Sequence, residues 1–129
     1  MTSCVIDTSA IFVDLQGEPG ADEARRWLRH AAISAVNLHE LAAKALDKGV
    51  PADKVSDLIA RLRLTVHPHD AADAIEAGLM REATRALGLG LADRSCLALA
   101  KRVGLPAVTA DRAWAELGET LGVEIIVVR

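Results

Sequence analysis

Four carboxylates in this chain stand where short apolar runs end or where helices begin: Asp7, Glu40, Asp93 and Asp111. Asp7 closes the run Cys4-Val5-Ile6, and Glu40 lies in the second turn of a helix expected after Ala32-Ile33-Ser34. Asp93 opens the stretch Ala92-Asp93-Arg94-Ser95-Cys96, and Asp111 follows Val108-Thr109-Ala110. If the four converge, like charges repel and one of them takes up a proton, unless a cation joins the group. Carboxylate oxygens suit Mg2+ or Mn2+, and Mg2+ keeps several waters while taking one or two carboxylates directly. A water held in that way is acidified into a nucleophile, and the same ion neutralises charge on a phosphodiester. This is nuclease chemistry.

Each acid also has a local explanation. Asp7, Asp93 and Asp111 are all good helix N-caps, where a carboxylate meets unpaired N–H groups and the positive end of the helix dipole. Glu40 precedes Lys44 by one helical turn and is set for a solvated ion pair. Asp70 and Asp73 read as capping and dipole residues of a later helix. From spacing alone, the shared site and the separate caps both remain open.

Other chemistries find less support. His67 and His69 flank Pro68 like a metal-binding pair, but no Cys or third His stands at ligand spacing, so a strand-end position facing solvent fits better. His39-Glu40 begins like a zincin motif, yet Ala43 occupies the place of the second His. Ser9, Ser34 and Ser95 lack a nucleophile-elbow context, and there is no Gly-rich phosphate loop. Trp27 and Trp114 read as core or partner-contact residues. The arginines at 25, 26, 29, 61, 63, 81 and 85 read mostly as solvated helix faces, some of them able to rim a phosphate site.

The elements that must place these residues can be read from periodicity. Val5-Ile6, Ala32-Ile33-Ser34, residues 64–67, residues 105–109 and residues 123–128 are short β-branched or apolar runs, the last being the clearest strand. Helical spacing covers residues 9–16, 21–30, 35–48, 51–63, 91–103 and 111–117, with one long helix from 70 to Gly88 or Gly90. Gly49 ends the third helix, and Gly17-Glu18-Pro19-Gly20 forms a turn. Strands alternating with helices, without hairpin signals, predict a three-layer α/β/α domain around a parallel sheet of four or five strands. In open sheets of this kind ligands bind beyond the carboxyl ends of the strands, where Asp7 would stand.

Composition bounds the function. At 129 residues and 51% hydrophobic content, residues 1–129 are expected to form a single domain with a full core. Aromatics are 2% and Tyr is absent, which argues against base stacking on an aromatic platform. A net charge of -3 lacks a strong basic footprint, although acidic site residues would mask a basic rim. Cys4 and Cys96 fall in apolar stretches and read as buried thiols of a reducing compartment. With no leader pattern and no membrane-length apolar window, a cytoplasmic protein is the expectation.

The order of these segments resembles the PIN-domain family, and more narrowly its VapC-type toxin ribonucleases. The likeness spans nearly the whole chain. It rests on Val5-Ile6-Asp7-Thr8-Ser9-Ala10, Gly17-Glu18-Pro19-Gly20, Ile33-Ser34-Ala35-Val36-Asn37-Leu38-His39-Glu40-Leu41, Leu91-Ala92-Asp93 and Val108-Thr109-Ala110-Asp111. The resemblance implies an endoribonuclease dependent on Mg2+ or Mn2+, with Asp7, Glu40, Asp93 and Asp111 as its acidic pocket. Asp7 and Asp93 would be the main metal ligands, Asp111 a ligand directly or through water, and Glu40 the residue that positions or activates water. Ser9 and Thr109 would support them from behind. It further implies a homodimer, a small antitoxin that blocks the pocket, and a structured transfer or ribosomal RNA as substrate. Arg94 and Arg112 beside the late aspartates are less typical, and either could enter the pocket.

Two rivals use the same sheet. One is a catalytically silent PIN-like module that binds protein. The other makes Asp7 a phospho-acceptor, but that chemistry wants an acidic pair before it or a second Asp two residues after it. Thr2-Ser3 and Ser9 stand there instead.

Overall fold

The computed structural model describes residues 1–129. Five short strands, β1 (Cys4–Ile6), β2 (Ala31–Ser34), β3 (Thr65–His67), β4 (Ala107–Thr109) and β5 (Ile125–Val127), form one sheet in the order β3-β2-β1-β4-β5. Every neighbouring pair is parallel. The helices are α1 (Thr8–Leu15), α2 (Ala21–Leu28), α3 (Ala35–Asp47), α4 (Ala52–Leu62), α5 (Ala71–Leu79), α6 (Arg81–Thr84), α7 (Leu91–Val103) and α8 (Gly118–Leu121). The α/β architecture with a parallel central sheet is therefore the one expected from the sequence.

The layering follows from the two-residue period of a strand. Val5, Ala32 and Ala107 point into a core that includes Leu97 and Trp114. Cys4, Ile6, Ile33 and Val108 point to the other face, against Ile11, Val13 and Leu28. Because helices cover both faces, the central strands read as continuous apolar runs. Trp114, expected as a core or contact residue, is fully buried. Ile33 is also fully enclosed, so Ile33→Ala would cost about 2–5 kcal/mol through lost burial and a residual cavity.

The edges of the sheet are less buried than the uniform runs suggest. Thr65 and Val66 of β3 are exposed. Only Ile125–Val127 pairs in the last strand, while Val123 turns into the core below it. The long helix expected from residue 70 onward is in fact broken. α5 ends at Leu79, α6 follows, and a 3-10 turn covers Arg85–Leu87. At the break Met80 packs into the core, and Thr84 Oγ1 donates to its carbonyl oxygen at 2.8 Å. A hydroxyl satisfied in that way competes with regular helix geometry. The helix expected over 111–117 is likewise a 3-10 turn, Arg112–Glu116, followed by α8.

Chain order decides where a site can form. From β1 the chain winds outward through β2 to β3, and it then returns to place β4 on the other side of β1. The winding direction thus switches between β1 and β4. Crevices beyond the carboxyl ends of the strands open at such a switch point.

Candidate active site

Asp7 sits at that switch point. Val5 pairs with Ala107 and Ile6 with Val108, so the register carries Asp7 level with Thr109. The Asp7 N–H donates to Val108 O at 2.8 Å, which fixes the backbone from which the carboxylate projects. Although Asp7 occupies the N-cap position of α1, its side chain makes no capping hydrogen bond. Its Oδ2 instead accepts from Ser9 Oγ at 2.6 Å and from Thr109 Oγ1 at 2.9 Å. The two hydroxyls are held in turn. Ser9 Oγ accepts from Ala110 N at 2.9 Å, and Thr109 Oγ1 accepts from Asp111 N at 3.1 Å. Both donors therefore converge on one oxygen, and Oδ1 is left for another partner.

Burial makes this carboxylate costly to ionise. Asp7 is 3% exposed, and its pKa is pushed up to about 6. Desolvation is the main cause, the hydrogen bonds from Ser9 and Thr109 act against it, and the charges of Asp93 and Glu40 add to the rise. The Asp93 pKa is also raised, again chiefly by burial; a hydrogen bond from Gly90 opposes this, and the charges of Glu40 and Asp111 reinforce it. The fold has thus brought Asp7, Glu40 and Asp93 into one electrostatic neighbourhood, with Asp111 felt through Asp93.

The supporting elements correct several local expectations. α7 begins at Leu91 with Gly90 as its N-cap, so Asp93 is the third residue of the helix rather than its opener. Its Oδ2 accepts from Gly90 N at 2.8 Å, a reach back to the cap that a carboxylate in the first turn makes easily. Asp111 is exposed and does cap its 3-10 turn, accepting from Ala113 N at 3.0 Å. Glu40 forms the predicted pair with Lys44 at 3.5 Å while also facing the other acids.

The cation felt by the acids is a lysine. Arg94 Nη1 donates to Leu89 O at 2.8 Å, and neither Arg94 nor Arg112 forms an ion pair with a carboxylate. The cation that lowers the Asp93 pKa is Lys44. Sequence reasoning had seen Lys44 only as an ion-pair partner. Asn37 was missed as well, although its position carries a signal: Asn37, Leu41 and Ala45 form the buried stripe of α3, and a polar residue in such a stripe needs a reason.

In this side-chain arrangement no three or more His, Cys, Asp or Glu side chains stand at metal-ligand spacing, His67 and His69 included. The donor set still fits a hard divalent cation that binds through one or two carboxylates and several waters. It is all oxygen, it includes a desolvated carboxylate with a free Oδ1, and its own fixed cation, Lys44, is shared with Glu40.

A sequence model of the PIN domain matches residues 4–119. The chain belongs to the PIN-domain family. No curated protein matches this PIN domain by sequence. Among solved structures it is similar to a toxin–antitoxin complex from Klebsiella pneumoniae, with a TM-score of 0.74 at 18% identity over 98% of each chain. It is also similar to the DNA-bound VapBC from Salmonella typhimurium, with a TM-score of 0.72 at 24% identity over 100% of each chain. VapC20 from Mycobacterium tuberculosis, described as a toxin that cleaves the sarcin-ricin loop, superimposes with a TM-score of 0.73 at 16% identity over 90% of this chain and 95% of that one. At these identities the likeness is one of fold. No helix of this PIN domain is long and apolar enough to cross a membrane.

Proposed function

We propose that residues 1–129 act as a single nuclease domain, the VapC-type toxin of a type II toxin–antitoxin pair, and cleave structured transfer or ribosomal RNA with Mg2+ or Mn2+. The observation that carries the proposal is the setting of Asp7. A carboxylate buried at the switch point, sharing its field with Asp93 and Glu40 and without an ion-pair partner, is expensive to maintain without a cation. Membership of the PIN-domain family and the likeness to toxin–antitoxin structures support the same reading.

In this reading Asp7 and Asp93 hold the metal, Asp111 assists directly or through water, and Glu40 accepts a hydrogen bond from the attacking water and orients it. When bound, the ion supplies acidification of water and neutralisation of phosphodiester charge. Ser9 and Thr109 keep Asp7 Oδ2 occupied, so that Oδ1 faces the site in one orientation. Asn37 and Thr8 fix the helix starts that carry Asp93 and Glu40. A small antitoxin that covers the pocket and a homodimer of the toxin complete the proposal, along with a cytoplasmic setting. Exposed Ile75 and Leu79, one turn apart on α5, offer a candidate contact face for the dimer.

The test is cleavage of total cellular RNA by the purified protein with Mg2+, with Mn2+ and with chelator, beside Asp7→Asn. Discrete metal-dependent fragments that vanish in the variant are the expected result. A folded protein that neither binds metal nor cleaves RNA would overturn the proposal in favour of a silent binding module.

A further inference from the structure

A groove of about 540 Å³ adjoins the acids on one side, between α1 and the C-terminal half of α3. Ser9 and Lys44 line it and also belong to the acidic site, since Ser9 bonds Asp7 and Lys44 bonds Glu40. The groove is therefore continuous with the place where chemistry would occur. Its other lining residues include Gln16, Lys48 and Arg129.

The cations here are arranged along a track. Glu40 and Lys44 on α3 and Lys48 at its C-cap recur every four residues, a spacing of about 6 Å along the axis at each step. That step is of the order of the distance between successive phosphates of an extended strand. Lys48 is held by neutral groups alone: its Nζ lies 4.9 Å from the centre of the Phe12 ring and 3.5 Å from Gln16 Oε1. It forms no ion pair. Lys44 spends one of its three donors on a long contact of 3.5 Å to Glu40. Arg129 is placed by its bond to Glu18 at 3.3 Å and by the close approach of Val128 O to Gly20. Three cations and two carboxylates, Glu18 and Asp47, line the groove, and Glu40 bonds Lys44 at its end, so Lys48 is the cation without an ion pair. Phe12, the one aromatic in the groove, is buried under Lys48, so the surface offers charge to a backbone and no platform to a base.

Building on the nuclease reading, we infer that this groove is a phosphodiester-binding subsite that seats the RNA strand beside the cleaved bond. Lys48 grips one phosphate, and Lys44 grips the phosphate nearer the acids. Contacts of this kind hold a strand without reading its sequence.

Lys48 touches none of the acids, so it separates the groove from the chemistry. The experiment measures kcat and KM for RNA cleavage, at several salt concentrations, with wild type, Lys48→Gln and Lys48→Glu. Arg26→Glu on exposed α2 serves as the charge control. In parallel, a labelled single-stranded RNA is titrated into Asp7→Asn protein with and without Lys48→Glu. Lys48→Glu is expected to raise KM roughly tenfold and to reduce the slope of log(kcat/KM) against log[salt] by about one, with kcat within about twofold. Lys48→Gln should fall between, and Arg26→Glu should match wild type. Wild-type cleavage with unchanged KM and salt slope in Lys48→Glu overturns the groove and leaves the nuclease standing. Equal losses for Arg26→Glu and Lys48→Glu overturn it too, because they would reflect net charge alone. Absence of both cleavage and RNA binding overturns the nuclease and the groove together.

Discussion

Asn37 Nδ2 donates to the carbonyl oxygen of Ala92 at 3.1 Å, tying the helix that carries Glu40 to the first turn of the helix that carries Asp93. The backbone oxygen of Asn37 accepts from Thr8 Oγ1 at 3.2 Å, next to Asp7 in the chain. One fully buried residue therefore touches all three segments from which the clustered acids project. Asn37→Ala should cost about 1 kcal/mol of stability, the net worth of the lost bond to the Ala92 oxygen, because the unpartnered Asn37 Oδ1 leaves the interior at the same time. It should also lower kcat for RNA cleavage. Urea unfolding and steady-state kinetics on the same preparation check both. A stability loss with unaltered kcat would reduce Asn37 to a packing residue.

Asp7→Asn should abolish cleavage and yet make the metal-free protein more stable. At pH 7 the folded state keeps ionised a group whose pKa it has raised to about 6. Relative to a free carboxylate this costs on the order of 3 kcal/mol. An amide keeps an oxygen for Ser9 and Thr109 and removes the charge. Urea denaturation in chelator, wild type against variant, measures the gain, and a destabilised variant would contradict the electrostatic account.

The same shift sets the pH dependence. Between the unfolded value of 3.8 and the folded value of about 6, the native state binds the extra proton. The Asp7 contribution to metal-free stability, read as wild type minus Asp7→Asn, should therefore be greatest below about pH 4, fall as pH rises to about 6, and level off above that. Asp93, whose pKa is also raised, acts in the same direction. Mg2+ at pH 7 should restore much of the loss by binding the ionised native form. Unfolding midpoints across pH, with and without Mg2+, decide this.

Thr109→Val removes one of two donors to Asp7 and the acceptor for Asp111 N. Loss of the hydroxyl should raise the Asp7 pKa further and move the acidic limb of the rate profile upward. The stability cost should be about 1 kcal/mol. Thr109→Ser should restore the limb, because it returns the hydroxyl without the methyl. A pH–rate profile that is identical in Val and wild type would remove Thr109 from the site.

Gly20 has φ +97°, and a Cβ there would collide with the Val128 carbonyl oxygen. Gly20→Ala should lower stability by about 1–3 kcal/mol, since both the backbone conformation and the close approach resist a side chain. Because the same contact places Arg129, RNA affinity should weaken as well. Thermal melts and RNA titration of the Asp7→Asn, Gly20→Ala double variant test the two effects separately.

The sequence by itself determined the alternation of strands and helices, the parallel sheet and the positions of four acids at element boundaries. These follow from short-range facts: β-branched runs such as Val5-Ile6, turn residues such as Gly17 to Gly20, and the period of buried positions within a helix. It misjudged the extent of the helix after Asp70, because a break at Met80 reflects packing and a hydroxyl bond that periodicity does not encode. It left Asp7 undecided between cap and site, since both readings use the same residue at the same local position. The tertiary structure removes side-chain capping, because the Asp7 carboxylate makes no capping hydrogen bond to α1. Strand order sets β4 beside β1, and Thr109, distant in sequence, then joins Ser9 of α1 as the second hydroxyl donor to Asp7 Oδ2. The choice of Lys44 over Arg94 as the cation near the acids belongs to the same class, because it depends on which helices meet. Local propensity acts over a few residues; hydrogen bonds and charges act over ångströms of space, and only the folded chain sets those distances.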